Sequence, residues 1–394
     1  MNFANKTILK TVFFRNTLFF LLEKCFLNDI LIHIKTISRT TQEIKMAFVK
    51  TLATVIERPG EAAFREVTLT PKREDTVVCR TLFSAISTGT DMKTYHGMQH
   101  PEQCYYPLVP GYENIGVIEE EGSYAAGLKK GDRVMINECR RYMDCCSAWG
   151  GGTLICHKDM DNASGAGDPL CKIPDNVSDT DAVLAYLFCV SLKGVERLGL
   201  TADYAGTVLV FGAGMNGVGA AQIIKIKSPR ATVIIAEPHP FRQEIARHYA
   251  DFIITPDEAG IKKLEELTNG KKADKIIECS GNPAVPGILY KFIKDGGWAD
   301  DDEPGYIHLN GDYPEKLLFD HYHRWFVKNV NMSMTCAMKW RAKGQILQWI
   351  SEGKIDTTHL PYEIWPAGKA KEAFEYQSEK GMNCFKVLFD WRDL

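Results

Sequence analysis

The chain has 394 residues, 45% of them hydrophobic and 25% charged, with a formal net charge of −3. That is enough apolar material for two domains, and a near-neutral balance gives no electrostatic reason to expect nucleic acid. Twelve cysteines, without regular spacing or a clean secretory signal, point to reduced thiols in a cytoplasm.

Residues 1–45 differ from everything after them. They are rich in Phe, Leu, Ile, Lys and Asn, but Lys10, Arg15, Glu23, Lys24 and Asp29 interrupt every apolar run. None approaches the ~20 residues of a stable membrane span, and no signal-peptide pattern emerges. Met46 then opens "MAFVKTLATVIERPG", which reads as the start of a catalytic domain. The preceding segment reads as an N-terminal extension, non-native or mis-assigned, with organelle targeting or weak membrane association as the alternative.

From Met46 to about Leu187, Gly- and Pro-punctuated runs such as "REVTLT", "DTVVCRTLFSAIS", "ENIGVIEE" and "GDRVMI" predict a compact β barrel. Further on, "TVLVFGAGMNGVGAAQ", Thr207 to Gln222, predicts strand, glycine turn and helix. Gly212 would allow the tight turn, Gly214 the approach of a pyrophosphate, and Gly217 close helix packing. Met215 and Asn216 open the helix whose N-terminus would face the anion. The next β run, "ATVIIAE", ends at Glu237, where a carboxylate accepts from an adenosine ribose hydroxyl and repels a 2′-phosphate. NAD is therefore preferred over NADP, with Arg242 and His239 nearby leaving NADP open. Helical "FRQEIARHYA", "EAGIKKLEELTNG" and "AVPGILYKFIK" alternate with "DFIIT", "DKIIECSG" and "GYIHLNG". Five strand candidates with intervening helices predict a doubly wound parallel sheet. The tail adds a helix, "GQILQWISEGKI", and a closing strand, "CFKVLFDW".

This order, with "GTD", "PGYE", "GDRV", "GAGMNGVGAA", "ECSG" and "SEGKI...EAFE...KVLFDW", resembles the medium-chain dehydrogenase/reductase superfamily from Met46 to Leu394. The resemblance implies an α/β protein: a GroES-like β-barrel catalytic domain over 46–187 and 331–394, and a Rossmann NAD-binding domain over 188–330. It also implies an NAD(P)-dependent oxidoreductase, acting on a small molecule as a homodimer or homotetramer. Within the superfamily, "ISTGT", "YPLVPGYENIG" and "LFDW" are most similar to the bacteriochlorophyllide dehydrogenase-like branch, which shares the Thr and Tyr replacements described next.

Zinc members hold their metal with a Cys before "G-S/T-D", a His in "G-H-E", and a Cys or Glu at the helix entering the Rossmann domain. The matching positions here are Thr88, Tyr112 and either Ala185 or Tyr186. None is an ordinary zinc ligand, so no catalytic zinc is expected. The cysteines of "CRRYMDCCSAWGGGTLIC", Cys139, Cys145, Cys146 and Cys156, stand at the wrong intervals for a second, structural zinc.

By the same resemblance, Thr90 matches a relay hydroxyl and Lys93 the position often held by a relay His. Tyr112 would hydrogen-bond the substrate oxygen, while Asp91 and Glu113 match carboxylates that orient the ligands. Ser280, in "ECSG", and Lys386 would border the cofactor, Lys386 against its pyrophosphate. Thr88 and Thr90 have the alternative of pinning their loop, Lys93 of a solvated lysine, and Tyr112 of space filling. Arg140, Arg141, Lys193, His321, His323 and Arg324 fall in segments bordering the cleft in relatives, which suggests a polar substrate with an anionic group among its options. The expected activity is zinc-independent, NAD-dependent interconversion of a secondary alcohol and ketone. The alternatives are a zinc-free C=C reductase and a catalytically silent nucleotide-binding protein.

Overall fold

The computed structural model describes residues 49–394 except 101–103, 124–126, 140, 161–168, 300–301 and 314–315. The expectations for residues 1–45 and for Arg140 lie outside the described residues.

The catalytic domain opens with β1 (Val49–Arg58), β2 (Glu61–Leu69) and β3 (Thr76–Ile86), then a short helix α1 (Thr90–Tyr95). It continues through β4 (Leu108–Val109), β5 (Glu113–Glu120), β6 (Arg133–Met135), β7 (Cys146–Ser147), β8 (Ile155–Asp159) and β9 (Cys171–Lys172). The long helix α2 (Asp179–Arg197) follows, and Ser178 caps it by accepting from the Asp181 N–H. This helix runs across the domain boundary expected near residue 187, because its apolar residues from Ala182 to Val195 are buried along nearly its whole length.

The nucleotide-binding fold consists of β10 (Thr207–Phe211), α3 (Met215–Lys227), β11 (Thr232–Ala236), α4 (Pro240–Ala246), β12 (Phe252–Ile254), α5 (Glu258–Leu267), β13 (Lys275–Glu278) and β14 (Tyr306–Leu309). Its strands order as β12-β11-β10-β13-β14, all parallel. The buried residues of "TVLVF", "TVIIA" and "KIIE" form near-continuous apolar runs, as strands covered by helices on both faces require. Two expectations change. "AVPGILYKFIK" forms a 3₁₀ helix over Pro286–Lys291. After α6 (Tyr322–Phe326), a sixth strand, β15 (Asn331–Met334), pairs in parallel with β14, so the sheet continues past residue 330. The sequence "NMSM" hid it because an edge strand exposed on one side lacks an apolar run.

The chain then returns through α7 (Ala342–Ser351), β16 (Glu363–Pro366), α8 (Ala370–Lys380) and β17 (Val387–Asp390). β17 closes the barrel antiparallel to β3, in the seven-stranded sheet β16-β17-β3-β5-β6-β9 with β8 on β3. A continuous apolar core links the two domains around α2, from Phe83, Tyr112 and Met135 to Val208, Val210 and Ile235. Among the described residues, no helix is long and apolar enough to cross a membrane.

Candidate active site

Three strand ends converge on the site. β3 runs antiparallel to β5 with Ala85 opposite Glu113, and to β17 with Ile86 opposite Val387. Ser87, Tyr112 and Lys386 each stand one residue beyond those pairs. Register alone therefore gathers residues about 300 positions apart in sequence.

The hydroxyls of Tyr112 and Ser87 lie 2.6 Å apart, and the Tyr112 hydroxyl also donates to Thr90 Oγ1 at 3.3 Å. Thr90 is half-buried at the first residue of α1. The Tyr112 ring packs against Tyr186, centroids 4.8 Å apart, and edge-on to Trp149 at 5.5 Å. Of the two candidates for the third metal position, Tyr186 is the one that faces Tyr112. Thr88 is half-buried and has no side-chain hydrogen-bond partner among the described residues. Burial, reinforced by the charges of Glu113 and Asp91, pushes the Tyr112 phenol well above its usual range.

Asp91 is a clasp. Its Oδ2 accepts from the Ser87 N–H at 2.9 Å and its Oδ1 from the Gly111 N–H at 3.2 Å, tying the two loops that carry Ser87 and Tyr112. Gly111 adopts φ +94°, a conformation other residues resist. Full burial raises the Asp91 carboxyl to about 7, despite the Ser87 N–H holding it down. Glu113 is likewise raised by burial, moderated by Lys386, whose ammonium group lies 2.6 Å from Glu113 Oε1 in an ion pair with side chains 1% and 0% exposed. Lys386 is thus engaged with Glu113 in the interior, as a buried ammonium group needs a carboxylate beside it.

Lys93, one helical turn after Thr90, is drawn away as well. Its ammonium group forms an ion pair with Asp312, on the loop after β14, and also donates to the Asp312 carbonyl at 3.2 Å. The hydroxyls of Tyr112, Ser87 and Thr90 thus group together, while Lys93 bridges to the loop after β14. Sequence reasoning missed Ser87 as a site residue, along with Asn137, Trp149 and Asp312. Asn137 Nδ2 donates to the Tyr112 carbonyl at 2.7 Å. Trp149 has φ +71°, which costs a bulky residue about 1–2 kcal/mol. Its one visible signal is the glycine run Gly150 to Gly152 that follows it.

The residues expected to hold the cofactor do come together, at the carboxyl ends of β10, β11 and β13 where strand order reverses. Gly212 has φ +88°, and a Cβ there would meet Ser280 Cα at 2.9 Å. A Cβ on Gly217 would lie 1.8 Å from the Gly212 carbonyl oxygen, so the turn and helix can meet only without one. Gly214 caps α3, whose first turn holds Met215 and Asn216. Ser191 donates to the Asn216 carbonyl at 2.8 Å. Glu237 Oε2 accepts from the Ala213 N–H at 2.8 Å and Oε1 from the His239 N–H at 2.9 Å, so this carboxylate shapes the turn before any ribose arrives. Ser280 donates its N–H to Glu278 Oε1 at 2.7 Å. Arg242 reaches over the turn: its Nη1 would lie 3.2 Å from a Cβ on Gly214, while its other nitrogens donate to the Met382 and Cys384 carbonyls. The α3 N-terminus, half-buried at Gly214 and Asn216, together with the glycine turn and the carboxylate, fits a dinucleotide.

A catalytic zinc does not fit. The matching positions offer two phenols and a threonine hydroxyl, Asp91 is occupied by backbone N–H groups, and Glu113 is neutralised by Lys386. Nor do the four lobe cysteines converge: Cys139 and Cys156 are buried together, Cys145 packs beside Ala53 and Val55, and Cys146 is exposed. Among the described residues, no group of three His, Cys, Asp or Glu is arranged to hold a metal ion.

The alcohol dehydrogenase GroES-like domain model matches residues 73–171. An alcohol dehydrogenase of Geobacillus stearothermophilus is 30% identical over 321 residues, which cover 76% of this chain and 88% of that protein. The chain belongs to the medium-chain, zinc-type alcohol dehydrogenase superfamily. It is an NAD(P)-dependent dehydrogenase of that type. The fold agrees with L-idonate 5-dehydrogenase of Escherichia coli, with a TM-score of 0.72 at 18% identity over 87% of this chain and 99% of that one. An E. coli alcohol dehydrogenase complexed with NADH gives a TM-score of 0.70 at 20% identity over the same shares, 87% and 99%.

The basic residues expected at the cleft do not gather there as a set. Arg141 pairs with Asp159 and donates to the Pro71 carbonyl at 2.8 Å, and Lys193 donates to the Cys336 carbonyl. Arg324 lies over the Tyr290 ring in a separate depression beside α5. His321 and His323 are exposed near α6.

Proposed function

We propose that this superfamily member interconverts a secondary alcohol and a ketone with NAD and without zinc. Tyr112 takes over the metal's task of holding the reacting oxygen. The observation that carries the reading is the hydroxyl chain Tyr112, Ser87, Thr90 at the former ligand position. When bound, the nicotinamide accepts or returns the hydride; the residues described here manage the proton.

Tyr112 holds the substrate oxygen by a hydrogen bond. A phenol displaced upward by burial comes closer in basicity to an alkoxide, so its proton shifts toward or away from that oxygen without a large mismatch. As the alcohol gives up its proton, Tyr112 passes its own to Ser87 or Thr90, and half-buried Thr90 hands it toward water. Reduction runs the same chain in reverse. Asp91 contributes geometry, because both its oxygens fix the loops on which the relay stands. Gly212, Gly214, Gly217, Met215, Asn216, Glu237 and Ser280 hold the cofactor, and the negative charge of Glu237 at the end of β11 favours NAD over NADP.

The substrate is a polar small molecule of the polyol or hydroxy-acid kind, supported by the polyol-acid substrate in the name of the similar L-idonate 5-dehydrogenase. Arg141, Lys193 and Arg324 are engaged elsewhere, which argues against a cluster of these cations recognising an anionic group on it. The working form is a homodimer joined through the free edge of β15, where Met332 and Met334 are exposed.

The test measures zinc per chain in protein purified without chelator, alongside NAD reduction across a panel of secondary alcohols and NADH oxidation with enones. Near-zero zinc with alcohol oxidation supports the proposal. One tightly held zinc per chain, or turnover of enones alone, overturns it.

A further inference from the structure

Arg324, expected at the active-site cleft, instead lines a depression of about 590 Å³ walled by α5, the 3₁₀ helix over Pro286–Lys291 and α6. This depression lies on the opposite face of the parallel sheet from α2. Side chains alternate along β10, so Val208 and Val210 pack into the core around α2, while Leu209 and Phe211 pack with Ile261, Tyr290 and Trp325 beneath these walls. Two of its cations, Lys272 and Lys328, stand just before β13 and β15, at the amino ends of those strands. The glycine turn stands at a carboxyl end, so the depression is separate from the dinucleotide site.

The charge of the depression is one-sided. Lys262, Lys272, Lys291, Arg324 and Lys328 line it against only Glu258 and Glu265, in a chain whose net charge is −3. Glu258 is taken by Lys291 at 2.8 Å and Glu265 by Lys272 at 3.3 Å. Lys328 pairs with Asp295 at 2.7 Å and donates to the Ile293 carbonyl at 3.2 Å. Among the described residues, Lys262 on α5 and Arg324 on α6 are therefore left without a carboxylate. Arg324 Nη1 donates to the hydroxyl of Tyr290 at 3.2 Å, and Tyr290 is itself only 7% exposed. The buried phenol anchors one nitrogen of the guanidinium and leaves the others to an incoming acceptor. Because its oxygen accepts from Arg324, the phenol also keeps its own proton to donate.

We propose that this depression binds a soluble, phosphorylated small molecule, with Arg324, Lys262 and the Tyr290 hydroxyl on its phosphate oxygens. A guanidinium presents donors in a fixed fork that matches two phosphate oxygens, and the ammonium group adds a point charge from the other wall. The volume is that of a small-molecule site, not of a single ion. The inference is independent of the hydride-transfer reading and uses none of its residues.

The test is isothermal titration calorimetry of the full chain with inorganic pyrophosphate, in saturating NADH so that the dinucleotide turn is filled. The expected result is one pyrophosphate per chain, bound more weakly as sodium chloride is added. Arg324→Gln and Lys262→Gln should each weaken it about tenfold or more. Both side chains are exposed, so neither substitution removes core packing. Gly217→Ala, titrated without NADH, should bind pyrophosphate as the wild type does, which keeps the result readable even if the dinucleotide reading fails. The absence of binding heat, or binding unchanged in the Arg324→Gln/Lys262→Gln double variant, overturns the proposal. So does pyrophosphate that NADH displaces, which belongs to the glycine turn. Co-sedimentation with phosphatidylserine vesicles without pyrophosphate binding makes the surface a membrane contact and overturns it as well.

Discussion

The hydroxyl oxygen of Tyr112 lies 2.6 Å from that of Ser87. A hydrogen bond this short between two buried neutral groups keeps the phenol in one orientation, aimed by Tyr186 and Trp149 on its flanks. Tyr112→Phe retains the ring and removes only the hydroxyl, so it should lower kcat about 10²–10⁴-fold, the range for loss of a positioned proton-transfer group. NADH affinity, measured by fluorescence titration, should stay unchanged. Ser87→Ala should cost less, since Thr90 still offers a path. A Tyr112→Phe enzyme with wild-type kcat would assign the ring to space filling.

Asp91 carries a pH signature. Its carboxyl is raised by burial to about 7 in the folded protein against 3.8 for the free group. Between these values the folded state binds more proton than the unfolded one, so stability is full below about pH 4 and is lost as pH rises toward 7. The slope from one such group is at most about 1.4 kcal/mol per pH unit. Urea denaturation from pH 4 to 7 should show this component in the wild type and lose it in Asp91→Asn. The asparagine also turns an amide NH₂ toward the Ser87 or Gly111 N–H, and should destabilise by about 1–3 kcal/mol.

Gly217 is the least replaceable residue of the cofactor turn. With a Cβ placed 1.8 Å from the Gly212 carbonyl oxygen, Gly217→Ala must push the turn away from α3. NADH binding should weaken at least tenfold by fluorescence titration, with the far-UV circular dichroism spectrum retained. Gly270, where a Cβ meets nothing but whose φ is +82°, is the control: Gly270→Ala should lower stability modestly and leave NADH affinity unchanged.

The nucleotide-binding half was legible because its rules are local. Buried parallel strands read as apolar runs, and a glycine turn must sit where a strand meets a helix, so Gly212, Gly214, Gly217 and Glu237 could be found one by one. β15 escaped because an edge strand carries no such pattern. The catalytic half was legible only as a set of replaced positions. What Lys93 and Lys386 do depends on Asp312 and Glu113, partners 219 and 273 residues away that only the folded chain supplies. Trp149 was hidden for the same reason, since its contact with Tyr112 follows from a backbone conformation that its residue type argues against.

The free edge of β15 bears on assembly. Among the described residues, Asn331 to Met334 present unpaired strand backbone on one side, with Met332 36% and Met334 69% exposed. Edge pairing between two copies would cover both. Analytical ultracentrifugation should give a dimer or a multiple of it. Met334→Lys places a charge at the junction and should shift the population toward monomer, an effect growing with dilution.

The Lys386–Glu113 pair separates a structural role from a cofactor role. Both side chains are buried, and among the described residues Glu113 Oε2 has no hydrogen-bond partner, so the pair rests on one 2.6 Å contact. Removing one partner leaves the other charge stranded in the interior, which typically costs about 3–5 kcal/mol, while removing both leaves a packing change alone. Lys386→Met and Glu113→Gln should therefore each lower the urea midpoint sharply, and the double variant should be more stable than Lys386→Met. The coupling energy from the full cycle measures the pair itself. If Lys386 instead served chiefly to hold the pyrophosphate, Lys386→Met would weaken NADH binding with little change in the urea midpoint, and the cycle would show no coupling.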